Sequence, residues 1–219
     1  MQVLKFYCAN EAFEYYWKEI LKYGIDYRDT RTLFNQGFYI TNPLNNAITA
    51  SFRNWKINYA MREWNWYLSG NPSVKDIAKY APIWENHADR YGNARSNYGW
   101  QWQRNDQLGY IVNELTRDEH SRRALITIYD GKEHSTYQAD TPCTQNVHFY
   151  IVNNQLNITV TMRSNDLWFG FCNDQYCFSH LQEMVANALE ITVGTYFHFA
   201  QNLHIYNEIH SKTVSSKDS

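Results

Sequence analysis

The chain has 219 residues, 44% of them hydrophobic and 17% aromatic, with 8 Trp and 18 Tyr. This is enough apolar material to bury well over half of the unfolded surface in one core, which excludes a disordered tail. A balance of 20 basic against 22 acidic residues leaves a formal charge of -2, so no global field draws in a nucleic-acid polymer and any anionic ligand has to be met locally.

Phe13, Tyr16, Trp17, Ile20 and Leu21 recur at three-and-four spacing, which predicts an amphipathic helix over residues 10–23 that Gly24 stops. A strand region is expected next. Helical spacing returns over residues 47–68 and halts at Ser69, Gly70, Asn71 and Pro72, and a shorter helix is expected over residues 106–115. From Ala124 onward β-branched and aromatic residues dominate, giving strands over 124–129, 146–152 and 156–162, with Asn153 and Asn154 as a hairpin turn. Residues 174–189 return to helical character, and the last fifteen or so are polar and expected to fray, the final ten to be disordered. With no repeat or linker, the reading is a single α+β domain over residues 1–219, helices packed on a mixed sheet.

Cys8, Cys143, Cys172 and Cys177 occur in a chain without a cleavable apolar leader or an apolar run of about 18 residues, so reduced thiols in a cytoplasm and no membrane are expected. Cys172 and Cys177 have no partner pair for zinc, and Pro142-Cys143 lacks the second cysteine of a zinc deaminase, so no metal is expected. Cys143 follows Thr141 and Pro142 at the entrance to a strand, a rigid place to present a thiol, although a free cysteine is more often a small buried hydrophobe.

Arg122 and Arg123 are adjacent, and Arg163 lies between Met162 and Ser164, each at a strand edge. Neighbouring guanidiniums repel unless they share an anion, which points to phosphate against the commoner alternative of a solvated pair. His204 and Tyr206 face the same side of a strand and could share one hydroxyl. Glu63 and Asp174 are isolated acids whose neighbours carry little charge, the setting in which ionisation shifts.

In order along the chain, Arg62-Glu63-Trp64-Asn65-Trp66-Tyr67-Leu68-Ser69-Gly70, Ile83-Trp84-Glu85, Asn97-Tyr98-Gly99-Trp100-Gln101-Trp102, Ser121-Arg122-Arg123, Asp140-Thr141-Pro142-Cys143, Met162-Arg163-Ser164-Asn165-Asp166 with Gly170, and Asn202-Leu203-His204-Ile205-Tyr206 resemble the thymidylate synthase family. The resemblance covers most of residues 10–210. It implies that family's fold and a cysteine nucleophile at Cys143, its thiolate favoured by nearby arginines. It also implies a homodimer in which Arg122 and Arg123 reach the partner's substrate phosphate beside Arg163 and Ser164, with Arg28, or alternatively Arg31, as a further phosphate arginine. His204 and Tyr206 would bind the sugar 3′-hydroxyl, and Glu63 and Tyr98 would order water for proton transfer. The cofactor implied is 5,10-methylenetetrahydrofolate, stacked near Trp84 with Asp166 on its pterin and Gly170 beside it.

Where thymidylate synthases carry an asparagine that pairs with uracil, this chain has Asp174, and phage deoxycytidylate (dCMP) hydroxymethylases are similar to it through Met-Arg-Ser-Asn-Asp at 162–166 and Phe-Gly-Phe-x-Asn-Asp at 169–174. A carboxylate accepts from the cytosine amine and holds the ring once nitrogen 3 is protonated. The expected activity is therefore 5-hydroxymethylation of dCMP. The alternatives are dCMP methylation, a thymidylate synthase-like enzyme of deoxyuridylate (dUMP), and a non-catalytic dimeric nucleotide- or RNA-binding homologue. The chain ends shortly after Tyr206, where the family usually continues into a segment closing over the folate, so a more open site that favours water is expected.

Overall fold

In the computed structural model, which describes residues 3–133 and 140–210, the first amphipathic segment forms α1 (Ala9–Tyr23) and buries Phe13, Tyr16, Trp17 and Ile20. Gly24 ends it in extended backbone, its N–H on the carbonyl of Ile20 at 2.9 Å. The strand β1 (Leu4–Phe6) precedes it, and the strands β2 (Ile25–Tyr27) and β3 (Thr30–Ile40) follow as a hairpin. At its two-residue turn Arg28 takes a φ of 57°, a conformation uncommon outside glycine.

The helix expected over 47–68 begins only at Ile57, as α2 (Ile57–Leu68). The cause lies elsewhere in sequence: Asn10 Oδ1 accepts the N–H groups of Thr49 and Ala50, each at 2.8 Å, which holds them out of a helical ladder. A single 3-10 turn at Ser51–Arg53 follows, and Asn54 ends it in the left-handed region. Three further helices come next, α3 (Ile83–Asn86), α4 (Tyr98–Gln103) and α5 (Gln107–Arg117), the last close to the helix expected at 106–115.

The strand texture after Ala124 is realised in β4 (Leu125–Thr127), β5 (Thr144–Val152) and β6 (Gln155–Met162). Asn153 and Asn154 both have positive φ, as a tight turn matched to the twist of its strands requires. The short strand β7 (Asn165–Asp166) and a π-helical turn at Leu167–Phe171 lead into α6 (Cys172–Ala188), and β8 (Thr192–Tyr206) closes the sheet. The expected fraying does not begin at residue 205, because Ile205 is a buried strand residue and residues 207–210 form a helical turn that buries Ile209. The disorder expected further on falls on residues outside those described.

The sheet order is β1-β3-β8-β6-β5-β4, with β2 on β3 and β7 on β8; it is mixed because β1 and β3, β6 and β8, and β7 and β8 run parallel while the other pairs are antiparallel. One face carries Phe38, Ile158, Val160, Tyr196 and Ala200 into the core under α1 and α6. The α6 helix is buried on nearly all sides, with Gln175 and Gln182 donating to the carbonyls of Asn46 and Leu156 at 2.7 and 2.8 Å. The other face presents half-buried Tyr39, Tyr150, Phe197 and Phe199, with Tyr39 and Phe197 packed at 4.7 Å. Among the described residues no helix is long and apolar enough to cross a membrane.

The packing of α4 on α2 tolerates no side chain at Gly99, since a Cβ there would overlap the carbonyl of Tyr67. Gly99→Ala should cost at least about 2 kcal/mol, because backbone and not a pliant side chain has to move. Urea denaturation reads this directly, and an unchanged midpoint would contradict the packing described.

Candidate active site

Antiparallel pairing of β5 and β6 sets the residues just before one strand beside those just after the other. Cys143 and Arg163 therefore meet: the N–H of Arg163 bonds the carbonyl of Cys143 at 2.9 Å. The Arg163 guanidinium donates to the carbonyls of Pro142 and Thr141 at 3.0 and 2.8 Å, and its Nη2 lies 3.8 Å from the Cys143 sulfur. One side chain thus fixes the cysteine loop and supplies a positive charge to it.

That charge favours the thiolate, as expected of a neighbouring arginine, but burial outweighs it. Burial pushes the Cys143 thiol up to about 11; Arg163 works against this, while Asp174, Asp140 and Asp166 add to it. Cys8, Cys172 and Cys177 are also free thiols, the last two buried, and among the described residues no cluster of acids, histidines and cysteines is arranged to hold a metal.

A cavity of about 720 Å³ opens beside the cysteine loop between the β2–β3 turn and the end of β8. It brings together Arg28, Arg163, Ser164, His204 and Tyr206, five of the residues singled out in the sequence, with Tyr27, Asp29, Thr30 and Asn202. Pairing of Thr30 with Tyr206 and of Thr32 with His204 places the Arg28 turn opposite the histidine and tyrosine, which lie on one face of β8 as their spacing predicts. Of the two candidate arginines, Arg28 lines the cavity, while Arg31 is spent on the Gly24 carbonyl at 2.7 Å and Asp26 at 3.5 Å.

Behind the cysteine is a group of buried acids. Burial raises Glu63, on α2, to about 7; Tyr67 Oη donates to its Oε1 at 3.0 Å, and its Oε2 is buried with no hydrogen-bond partner among the described residues. Asp174, in the first turn of α6, is raised well above the ordinary carboxyl range by burial and by the charges of Glu63 and Asp166, opposed by a 2.8 Å bond from Asn165 Nδ2. Tyr98 on α4 is buried, and its hydroxyl is held protonated by that burial and by Asp174 and Cys143.

The remaining predicted residues have structural duties as well. Asp166 accepts the N–H groups of Trp168 and Phe169 at 3.0 and 2.8 Å and so starts the π-helical turn. Gly170 lies against the Asn165–Asp174 pair, where a Cβ would be 3.0 Å from Asn165 Nδ2 and 3.2 Å from Asp174 Oδ2. Trp84 is half-buried, edge-on to Trp66, and its Nε1 donates to Tyr59 Oη at 2.8 Å.

Arg122 and Arg123 are not brought to the cavity of their own chain. Both are exposed, and the Arg123 Nε pairs with Glu114 at 2.9 Å, where Ser121 also donates. The sequence reading missed Asn165, His198 and Tyr196, which form a hydrogen-bonded line ending on Asp174. The signal was present, since positions 196, 198, 204 and 206 share the parity that puts them on one strand face.

A family model described as thymidylate synthase matches residues 11–217. The deoxyuridylate hydroxymethyltransferase of Pseudomonas phage M6 is 30% identical over 159 residues, covering 70% of this chain and 45% of that protein. That of Delftia phage PhiW-14 is 28% identical over 189 residues, 80% of this chain and 52% of its own length. The deoxycytidylate 5-hydroxymethyltransferase of Enterobacteria phage T4 is 30% identical over 164 residues, 68% of this chain and 67% of that protein. The chain spans about half the length of the first two relatives, and identity alone does not separate one base from the other.

With the thiol raised to about 11, alkylation of Cys143 by iodoacetamide in the free protein should climb about tenfold per pH unit from neutrality upward, as the thiolate fraction does. The Cys143→Ala variant supplies the background, and a rate already level near pH 7 would contradict a burial-raised thiol.

Proposed function

The chain belongs to the thymidylate synthase family, and on that premise we propose that it converts dCMP to 5-hydroxymethyl-dCMP through a covalent bond between Cys143 and carbon 6 of the base. The observation that carries this reading is Asp174, a buried carboxyl beside the cysteine loop, where burial and the neighbouring acids favour its protonated form. As the Cys143 sulfur bonds carbon 6, the thiol proton passes to water and ring nitrogen 3 takes the Asp174 proton. The negative charge left by the thiol proton ends on the carboxylate, which then faces two N–H donors of the base in a charge-assisted pair. Carbon 5 is left nucleophilic.

Arg28, Arg163 and Ser164 would hold the phosphate, joined by Arg122 and Arg123 of a partner chain, and His204 with Tyr206 the sugar hydroxyl. The half-buried aromatic face of Tyr39, Tyr150, Phe197 and Phe199 supports such a homodimer, since apolar sheet surface of this kind is stabilised by covering it. Glu63, raised to about 7 and with an unpartnered buried oxygen, is suited to hold a water and take its proton near neutral pH, with Tyr98 packed on Tyr67, whose hydroxyl bonds Glu63.

The fit of 5,10-methylenetetrahydrofolate rests on Trp84, whose indole is fixed by Tyr59 and Trp66 and offers a flat surface to a pterin, and on Gly170, which keeps the space next to Asp174 free of a side chain. Trp84, Asp166 and Gly170 would hold it. When bound, it supplies the one-carbon unit.

A second reading, hydroxymethylation of dUMP, is favoured by one observation. A protonated carboxyl has one donor and one acceptor, so Asp174 can match the uracil edge as well as the cytosine edge, depending on which oxygen carries the proton.

Mass spectrometry of the product from dCMP and dUMP, run in parallel with 5,10-methylenetetrahydrofolate, should show a hydroxymethyl group on dCMP. A plain methyl group, or turnover of dUMP alone, would overturn the proposal. Asp174→Asn should shift preference toward dUMP by about 2 kcal/mol, the scale of a buried polar mismatch. In a separate test of the shared site, mixing an Arg122→Ala chain with a Cys143→Ser chain should restore activity, because one hybrid site is whole. No recovery in a verified heterodimer would remove Arg122 from the partner's site.

A further inference from the structure

His198 is fully buried on β8, between the rings of Phe38 and Phe171, each at 5.2 Å, and the proposed chemistry does not use it. Both of its ring nitrogens are engaged, Nδ1 with Tyr196 Oη and Nε2 with Asn165 Oδ1, each at 3.1 Å. Burial lowers its pKa to about 3, so the ring is neutral and carries a single N–H.

The direction of the line follows from its far end. Asn165 turns its amide nitrogen to Asp174 Oδ2, which leaves its oxygen facing His198. An oxygen only accepts, so Nε2 holds the hydrogen, and the bare Nδ1 accepts from the Tyr196 hydroxyl. Gly170 leaves the space beside Asn165 Nδ2 and Asp174 Oδ2 free of a side chain, so the hydrogen bond from His198, and not crowding, fixes the way the amide faces.

We propose that His198, acting through Asn165, is a positioning residue that keeps Asp174 Oδ2 an acceptor and confines the carboxyl proton to Oδ1, and that this makes Asp174 selective between cytosine and uracil. The inference rests on Asp174 being the group that faces the base. At that edge cytosine offers an acceptor at nitrogen 3 and a donor at position 4, whereas uracil offers the reverse. A carboxyl free to carry its proton on either oxygen matches both. A carboxyl pinned in one form matches one and opposes the other, leaving a buried group unpaired. If the Asn165 amide turned over, its oxygen would face Asp174 and call the proton to Oδ2. The Nε2–H of His198 prevents this, because it would then oppose an amide N–H.

The test compares kcat/KM for dCMP and dUMP in wild type, His198→Phe, His198→Gln and Asp174→Asn, with the ¹⁵N shifts of His198 recorded in the wild-type protein. Phenylalanine keeps the ring and removes the donor, so the selectivity ratio should fall about tenfold, the scale of one net hydrogen bond. Glutamine, which can return an N–H at the Nε2 position, should recover most of it. The shifts should report a neutral ring with hydrogen on Nε2. A ratio unmoved in His198→Phe, an equal fall for both nucleotides with no rescue by glutamine, or hydrogen on Nδ1 would each overturn the relay. A wild-type preference that Asp174→Asn does not move sinks the reading of Asp174 itself; one that Asp174→Asn moves and His198→Phe does not sinks the relay alone.

Discussion

Removing ionisable groups from water raises the cost of whichever form is charged, and the space behind Cys143 confines one thiol and several carboxyls under that constraint. Burial is the largest cause of the shift at Cys143, Glu63, Asp174 and Asp166 alike. Charges on neighbouring groups discourage one another, so burial and repulsion together favour the protonated forms where the proposed chemistry needs donors. Arg163 offsets part of the cost at the sulfur, and its bonds to the Pro142 and Thr141 carbonyls tie that offset to the shape of the loop.

The sheet makes such a concentration mechanically possible. The β5–β6 pairing sets Cys143 against Arg163, and β7 beside β8 brings Asp166 opposite His204. The central helix then delivers Asp174 from its first turn into the same volume, with Asn165 receiving it. Cys143, Arg163, Asp166 and Tyr98 stand at the end of a regular element or one residue beyond, where packing fixes the backbone, while Glu63 projects from the middle of α2.

Much of this was legible in the sequence wherever the cause was local. The three-and-four spacing of Phe13, Trp17 and Ile20 is self-contained, and so is the Asn153-Asn154 turn. The motif around Cys143 and the two-residue spacing of His204 and Tyr206 pointed to side chains that do converge or share a face. The start of α2 was not legible, because the bonds that unwind residues 49 and 50 come from Asn10, about forty positions away. Nor was the state of the thiol: counting arginines near Cys143 gives the sign of one contribution and nothing about burial, which outweighs it. The polar line through His198 escaped notice because an alternating strand explains each of its members separately.

The pairing of Thr30 with Tyr206 joins positions from opposite ends of the described chain, and the cavity between the β2–β3 turn and the last strand exists only once that join is made. Closing so long a loop is entropically expensive and late in folding. During synthesis, therefore, no growing chain can complete that cavity until residue 206 has left the ribosome, so a ligand of the cavity cannot template the early steps and rewards only the finished sheet.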